Sequence, residues 1–101
     1  MMTPGKSVYI SKTCYDRAMV LVESGHFVSF GDVLTYSMRF MADAASIYGL
    51  KSLPRLERNN LLKKNVRIPP VLVEELERLN FSKESEIYEM ALAFYLDIKG
   101  N

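Results

Sequence analysis

Hydrogen-bonding side chains alternate with apolar ones in residues 65–69 of the segment KKNVRIPP, which spans residues 63–70. Successive side chains of a strand point to opposite faces, so the polar and apolar members of this segment would lie on different faces. Arginine, asparagine and lysine would give the polar face a row of donors and positive charge. Pro69 and Pro70 then end the alternation, and a helical pattern begins. One short strand cannot form a sheet alone, so this segment needs a partner strand.

A second copy of the pattern lies near the start of the chain. SVYISK at 7–12 aligns with NVRIPP at 65–70 at an offset of 58, and residues 27–43 align with 81–97 at an offset of 54. The two offsets differ by about one helical turn, which keeps the buried face of the helices pointing the same way. Each copy is predicted to form a strand, a helix, a turn and a second helix. We therefore predict one pseudo-symmetric domain with copies at 7–48 and 65–99, joined by a basic linker at 49–64.

Local signals place the ends of these elements. In the first copy we predict a strand at 7–11 and a helix at 13–24 that Gly25 stops. Ser29 and Asp32 resemble a capping box at the start of the second helix. In the second copy the strand is expected at 65–69, the prolines open the next helix, and Ser82 is the expected N-cap of the last helix. The predicted class is mostly α with a two-stranded antiparallel β-ribbon.

Charge is distributed unevenly along the 101 residues, although the net charge is only +1. Residues 49–64 carry five basic side chains and one acidic one, whereas residues 65–101 carry a net charge of −3. A local basic stretch favours contact with a polyanion, and the alternative is a solvated linker. No apolar run approaches the roughly 20 residues of a membrane span. No signal-peptide pattern follows MMTPGKS, so we expect a cytoplasmic protein that does not bind membranes.

Residue types typical of catalysis are sparse. Cys14 lies at an apolar helical position and is expected in the core, while His26 follows Gly25 in a turn. These two residues do not make a metal site. Since no phosphate loop, zinc spacing or nucleophile motif is present, we expect no enzymatic activity, no cofactor and no small-molecule substrate.

The second copy resembles the ribbon-helix-helix family of DNA-binding proteins. RIPPVLVEELERL followed by FSKESEIYEMALAFYL matches the family over nearly all of that copy. The first copy follows it by pattern, lacks the proline, and has Gly31 where the second copy has Ser85. In this family two strands, normally from two identical chains, form an antiparallel ribbon above four interlocked helices. The resemblance implies a tandem version that folds as a pseudo-dimer and acts as a transcription regulator, such as a repressor, on the nucleoid or host-cell DNA. Small tandem versions of this fold resemble regulators of archaeal viruses.

The resemblance also implies roles for particular residues. The ribbon would enter the major groove, where arginine pairs with guanine O6 and N7 and asparagine with adenine N6 and N7. Phosphates would be held by backbone N–H groups at the start of each second helix and by lysines. The implied base-reading residues are Ser7, Tyr9, Ser11, Lys63, Asn65 and Arg67. The implied phosphate-binding residues are Lys6, Lys12, Val28, Ser29, Lys64, Ser82 and Lys83.

The sequence leaves several alternatives open. The polar strand face could be exposed without binding any ligand, and Ser29 and Ser82 could act only as helix caps. Tyr9 could contact a thymine methyl group or a phosphate. It could instead pack across the ribbon against Arg67. The chain could also be an antitoxin-like module with a protein-binding tail, although only residues 99–101 follow the last helix. It could instead be a self-assembling module, or several copies could line up on one duplex. Pairing of the strands within or between chains also stays open. The residues expected to be exposed for assembly are Phe30, Tyr48, Leu50 and Leu53.

Overall fold

The computed structural model describes residues 5–49, 53, 55, 56, 58–79 and 83–99. It confirms the mostly helical class with a two-stranded antiparallel sheet. The predicted cap Ser82, together with Leu50 and the side chain of Tyr48, lies outside the described residues. The elements in chain order are β1 (Gly5–Ser11), α1 (Lys12–Glu23), α2 (Phe30–Tyr48), β2 (Leu61–Arg67), α3 (Pro70–Arg78) and α4 (Glu84–Lys99).

The strands β1 and β2 pair with each other inside the one chain, so the partner of the second strand lies near the start of the sequence. Ser7 lies opposite Asn65 in the register. The second strand differs from the prediction at both ends, because it begins at Leu61, inside the predicted linker, and ends at Arg67. Pairing with the end of β1 extends β2 toward the N-terminus, as far as Leu61. At its other end, Pro69 has no N–H to donate to a ladder, which stops the strand early.

The core lies between the inner face of the ribbon and the four helices. Val8 and Ile10 of β1 are buried, as are Val66 of β2 and Ile68 just beyond it. Beneath the ribbon, α2 and α4 pack on each other, and each fully buried leucine or methionine contributes about 1.5–3 kcal/mol. None of the helices within the described ranges is long and apolar enough to cross a membrane. The fully buried side chains of these two helices include Leu34, Met38, Met41, Leu92 and Leu96.

Two predicted helix signals are confirmed in the first copy. Gly25 has φ of +85° and follows the end of α1, and its N–H donates to the carbonyl of Val22 at 3.1 Å. A positive φ is unfavourable for residues with a Cβ, which explains glycine at this position. Ser29 is the N-cap of α2, and its hydroxyl accepts from the backbone N–H of Asp32 at 3.3 Å.

The described part of the predicted linker is docked on the protein. Leu53 and Leu56 pack against the core. The carbonyl of Asn60 accepts from the N–H of Lys12 at 3.0 Å, which ties the linker to the start of α1. Nη1 of Arg58 lies 2.9 Å from Oε1 of Glu89 in α4. The segment therefore carries specific tertiary contacts in addition to its positive charge.

The exposure expected for self-assembly is wrong at the two positions where it can be assessed. Phe30 is 8% exposed, because its ring packs against Tyr15 with centroids 4.8 Å apart. Leu53 is partly buried against the core. Neither side chain is available as a free apolar contact.

Candidate nucleic-acid interface

The outer face of the ribbon is an exposed polar surface. Ser7 and Tyr9 of β1 lie on the same face as three polar side chains of β2. The hydroxyl of Ser7 donates to Oδ1 of Asn65 at 2.9 Å and links the two strands at the middle of the ribbon. The structure thus brings five of the six predicted base-reading residues together. This outer face comprises Ser7, Tyr9, Lys63, Asn65 and Arg67.

The expectation that Ser11 faces outward is wrong. Ser11 is only 5% exposed, since β1 ends there and the chain turns into α1 above α4. Its backbone N–H donates to Oε1 of Glu89 at 2.7 Å, and its hydroxyl donates to Oε2 at 2.9 Å. Ser11 therefore connects the end of β1 to α4 through Glu89.

The register gives no support to packing of Tyr9 against Arg67. Tyr9 lies opposite Lys63, whereas Arg67 lies opposite Gly5. Four residues separate Gly5 from Tyr9 along β1, which is about 13 Å of strand. Tyr9 is 49% exposed, so most of one side of its ring remains available.

Two clefts flank the ribbon, each between one strand and the second helix of the other copy. The cleft between β2 and the start of α2, called the α2 cleft, has a volume of about 430 Å³. The cleft between β1 and the start of α4, called the α4 cleft, has a volume of about 470 Å³. The α2 cleft is lined by Tyr15, Ser29–Asp32 and Lys64–Arg67. The α4 cleft is lined by Lys6–Tyr9, Lys83, Ser85 and Tyr88.

Basic side chains line both clefts. Lys64 and Arg67 line the α2 cleft together with one carboxylate, Asp32. Lys6 and Lys83 line the α4 cleft, and no acidic residue is among its lining residues in the described part of the chain. The first N–H groups of a helix have no acceptor within the helix, so the helix starts add donors to both clefts.

The predicted phosphate-binding residues divide between these clefts and other places. Ser29, Lys64, Lys6 and Lys83 line the clefts, and Val28 precedes α2 with 88% exposure. Lys12 lines neither cleft, and its Nζ pairs with Asp16 at 2.6 Å on the surface of α1. Ser29 also acts as a cap, so that alternative holds whether or not the helix start binds an anion.

Two aromatic residues that contact lysines in these clefts could not be recognised from the sequence. Nζ of Lys64 lies 4.3 Å from the ring centroid of Tyr15, and Nζ of Lys6 lies 5.3 Å from that of Tyr88. Each pair joins residues far apart in the sequence, so no local pattern indicates the contact. Both distances are within the roughly 6 Å of a cation–π interaction.

The two residues considered for catalysis lie in different environments. Cys14 is buried, and burial, with a smaller effect of Glu89, raises the pKa of its thiol from 9.0 to about 12. Its neutral thiol is a core group, as the sequence predicted. His26 is exposed, with Nδ1 2.8 Å from the hydroxyl of Ser24. No cluster of three potential metal ligands is found in the parts of the chain that the structure describes.

The fold and this surface define a mostly helical chain that presents a polar β-ribbon between two basic clefts. Comparison with models of known protein families, with curated proteins and with solved structures finds no match to this chain. Its function is therefore argued from the ribbon, the clefts and their charges.

Proposed function

We propose that this protein is a sequence-specific double-stranded DNA-binding regulator of the ribbon-helix-helix type, and that one chain supplies both strands of the ribbon. The observation that carries the proposal is the exposed outer face, with Asn65 and Arg67 on one strand and Ser7 and Tyr9 on the other. A two-stranded ribbon fits the major groove, which is about 12 Å wide. The flanking clefts offer lysines and helix starts to the phosphates on either side. An intracellular location with access to DNA follows from this function.

The positions of the repeats support a pseudo-dimeric arrangement. The offset of 58 relates Ser7 to Asn65, which is also its partner across the ribbon. A two-fold axis through the middle of an antiparallel ribbon requires this self-pairing. The same offset relates the first residues of α1 and α3, and the offset of 54 relates those of α2 and α4. Equivalent core positions are buried in both copies, as in the pairs Val33 and Ile87, Ser37 and Ala91, and Met38 and Leu92.

The proposed recognition site is asymmetric. The offset of 58 makes Tyr9 the equivalent of Arg67, and Ser7 the equivalent of Asn65. Arginine and asparagine can each pair bidentately with a base edge, whereas serine and tyrosine offer single hydroxyl contacts. We expect the half of the site that faces Asn65 and Arg67 to carry more base discrimination, so the preferred DNA is not a perfect palindrome.

The test is to replace Arg67 by alanine and to measure footprints and affinities on DNA with each base pair varied. Loss of a bidentate contact should relax the preference at one position by about 1–3 kcal/mol. Lys99→Ala is a matched control, because it also removes one exposed charge but lies at the far end of α4 from the cleft, about 22 Å along the helix. An unchanged preference in Arg67→Ala would disprove its reading role. A wild-type protein that binds no DNA at low salt would remove the proposed function.

Self-association is measured in the same preparation by light scattering. The alternative of a self-assembling module without DNA has lost Phe30 as an exposed contact. A monomer that binds DNA would agree with intrachain pairing. A protein that assembles but does not bind DNA would favour the alternative.

A further inference from the structure

We infer that Tyr15 and Tyr88 are positioning residues that hold Lys64 and Lys6 at the two clefts for contact with DNA phosphates. This inference rests on the proposed function and adds to it two residues that do not themselves face the groove. It is carried by the two lysine–ring contacts, at 4.3 Å for Lys64 and 5.3 Å for Lys6.

The two lysines occupy equivalent places in the ribbon. The offset of 58 relates Lys6 to Lys64, and each lies on a strand next to the central pair of Ser7 and Asn65. Both belong to the inward-facing series of their strands, yet Lys6 is exposed and Lys64 is half-buried. Their stems therefore run from the inner side of the ribbon toward the cleft, where the charged ends stay accessible.

The aromatic partners are not equivalent. Tyr15 belongs to α1, and the residue that the offset of 58 places there in the other copy is Val73. Tyr88 belongs to α4, and its counterpart at the offset of 54 is Leu34. Two tyrosines at non-equivalent positions thus contact two equivalent lysines.

A ring beneath an ammonium group reduces the entropy lost when DNA binds. A free lysine has several rotatable bonds, and immobilising it against a phosphate costs conformational entropy. The ring face attracts the cation, and an ammonium group has three N–H donors, so the ring contact does not prevent a hydrogen bond to a phosphate oxygen. In the α2 cleft the positive charge of Lys64 also offsets the negative charge of Asp32, which would otherwise repel the phosphate.

The experiment uses variants that separate charge, ring and hydroxyl. Tyr88→Leu and Tyr15→Val introduce the residues that the other copy already has at the equivalent positions. Tyr88→Phe and Tyr15→Phe retain the ring, while Lys6→Gln and Lys64→Gln remove the charge. A duplex of mixed sequence and fixed length is the probe, because phosphate contacts do not depend on sequence. Dissociation constants are measured over a salt series.

Each tyrosine-to-aliphatic variant should bind about two- to five-fold more weakly with an unchanged salt slope, because the charge remains but loses its contact with the ring. The phenylalanine variants should bind like the wild type. Each lysine-to-glutamine variant should reduce the slope of log K against log salt by about 0.9. Tyr88→Phe should also melt at a higher temperature, since the buried hydroxyl of Tyr88 has no hydrogen-bond partner in the described structure.

Several results would overturn the inference while leaving the proposed function intact. These are aliphatic variants that bind like the wild type, phenylalanine variants as weak as the aliphatic ones, or lysine variants with an unchanged slope. If an aliphatic variant does not fold, phenylalanine variants that bind weakly or lysine variants with an unchanged slope would still overturn the inference. A wild-type protein that fails to bind the duplex at low salt would instead refute the proposed function, and this inference with it.

Discussion

The carboxylate of Glu89 lies in α4 and is only 2% exposed, so the protein must replace the water that a charge of this kind requires. Three donors do so. The N–H of Ser11 and Nη1 of Arg58 reach Oε1 at 2.7 and 2.9 Å, and the hydroxyl of Ser11 reaches Oε2 at 2.9 Å. The carboxylate thereby joins the end of β1, the linker and α4. We expect this group to be a major determinant of stability.

Glu89→Ala would leave the N–H of Ser11 buried without an acceptor and the guanidinium of Arg58 without its partner. Removing one member of a buried ion pair costs about 3–5 kcal/mol, which is a large part of the roughly 5–15 kcal/mol that stabilises a domain. Glu89→Gln keeps the shape, because its amide oxygen can accept from Ser11 and its NH₂ can donate to the serine hydroxyl. It loses only the charge assistance, so we expect about 1–2 kcal/mol.

Urea denaturation followed by circular dichroism measures these differences. Arg58→Met, combined with Glu89→Gln in a double-mutant cycle, isolates the coupling between the two side chains, which we expect to be about 1–3 kcal/mol. Lys12→Gln is the control, because the Lys12–Asp16 pair is 60% and 56% exposed and is worth about 0.5 kcal/mol or less. The reasoning would be refuted if Glu89→Ala were as mild as this control. Equal losses for alanine and glutamine would refute the assigned hydrogen bonds.

Three further predictions concern the first copy. The raised thiol pKa of Cys14 should make alkylation of the native protein much slower than that of the urea-unfolded chain, and equal rates would contradict its burial. The folded pKa of the Cys14 thiol, about 12, exceeds the unfolded value of 9.0. The contribution of the thiol to the free energy of unfolding is therefore complete below pH 9.0 and is lost as the pH rises toward 12. Urea titrations of Cys14→Ala should show a smaller decrease in the free energy of unfolding over this pH range. Gly25→Ala should cost about 1 kcal/mol in the same assay, because φ is +85° while a Cβ would meet nothing within 4 Å. Gly5→Ala, where φ is not positive, is its control, and equal effects of the two substitutions would exclude a backbone cause.

Much of the fold could be predicted because its signals are local. The alternation predicted that the apolar residues of each strand segment share one face, and Val8, Val66 and Ile68 are indeed buried. Gly25 and Ser29 mark helix ends through their own backbone conformation and side chain. The internal repeat supplied the one long-range fact that was needed, namely which segments resemble each other and could therefore pair.

The remaining features depend on contacts between distant residues. The segment from Leu61 to Lys64 becomes part of β2 because β1 pairs with it, and its own sequence does not alternate cleanly. Glutamate is normally a surface residue, so nothing around Glu89 indicates burial. Its donors, Ser11 and Arg58, are 78 and 31 residues away. The lysine–tyrosine contacts at the clefts escape prediction for the same reason.

In the proposed pseudo-dimer, the inner and outer faces of the ribbon are under different constraints. Inner residues must fill a shared, closely packed core, and the equivalent pairs Val8 with Val66 and Ile10 with Ile68 are identical. Outer residues face solvent, so the two halves can differ there without a packing cost. The buried contact of Glu89 with Ser11 also exists in one half only, since the equivalent residues are Thr35 and Pro69. A ribbon made from two identical chains would repeat every substitution in both halves. When one chain carries both strands, each half can be matched to its own part of an asymmetric site, and the protein would bind that site in a single orientation.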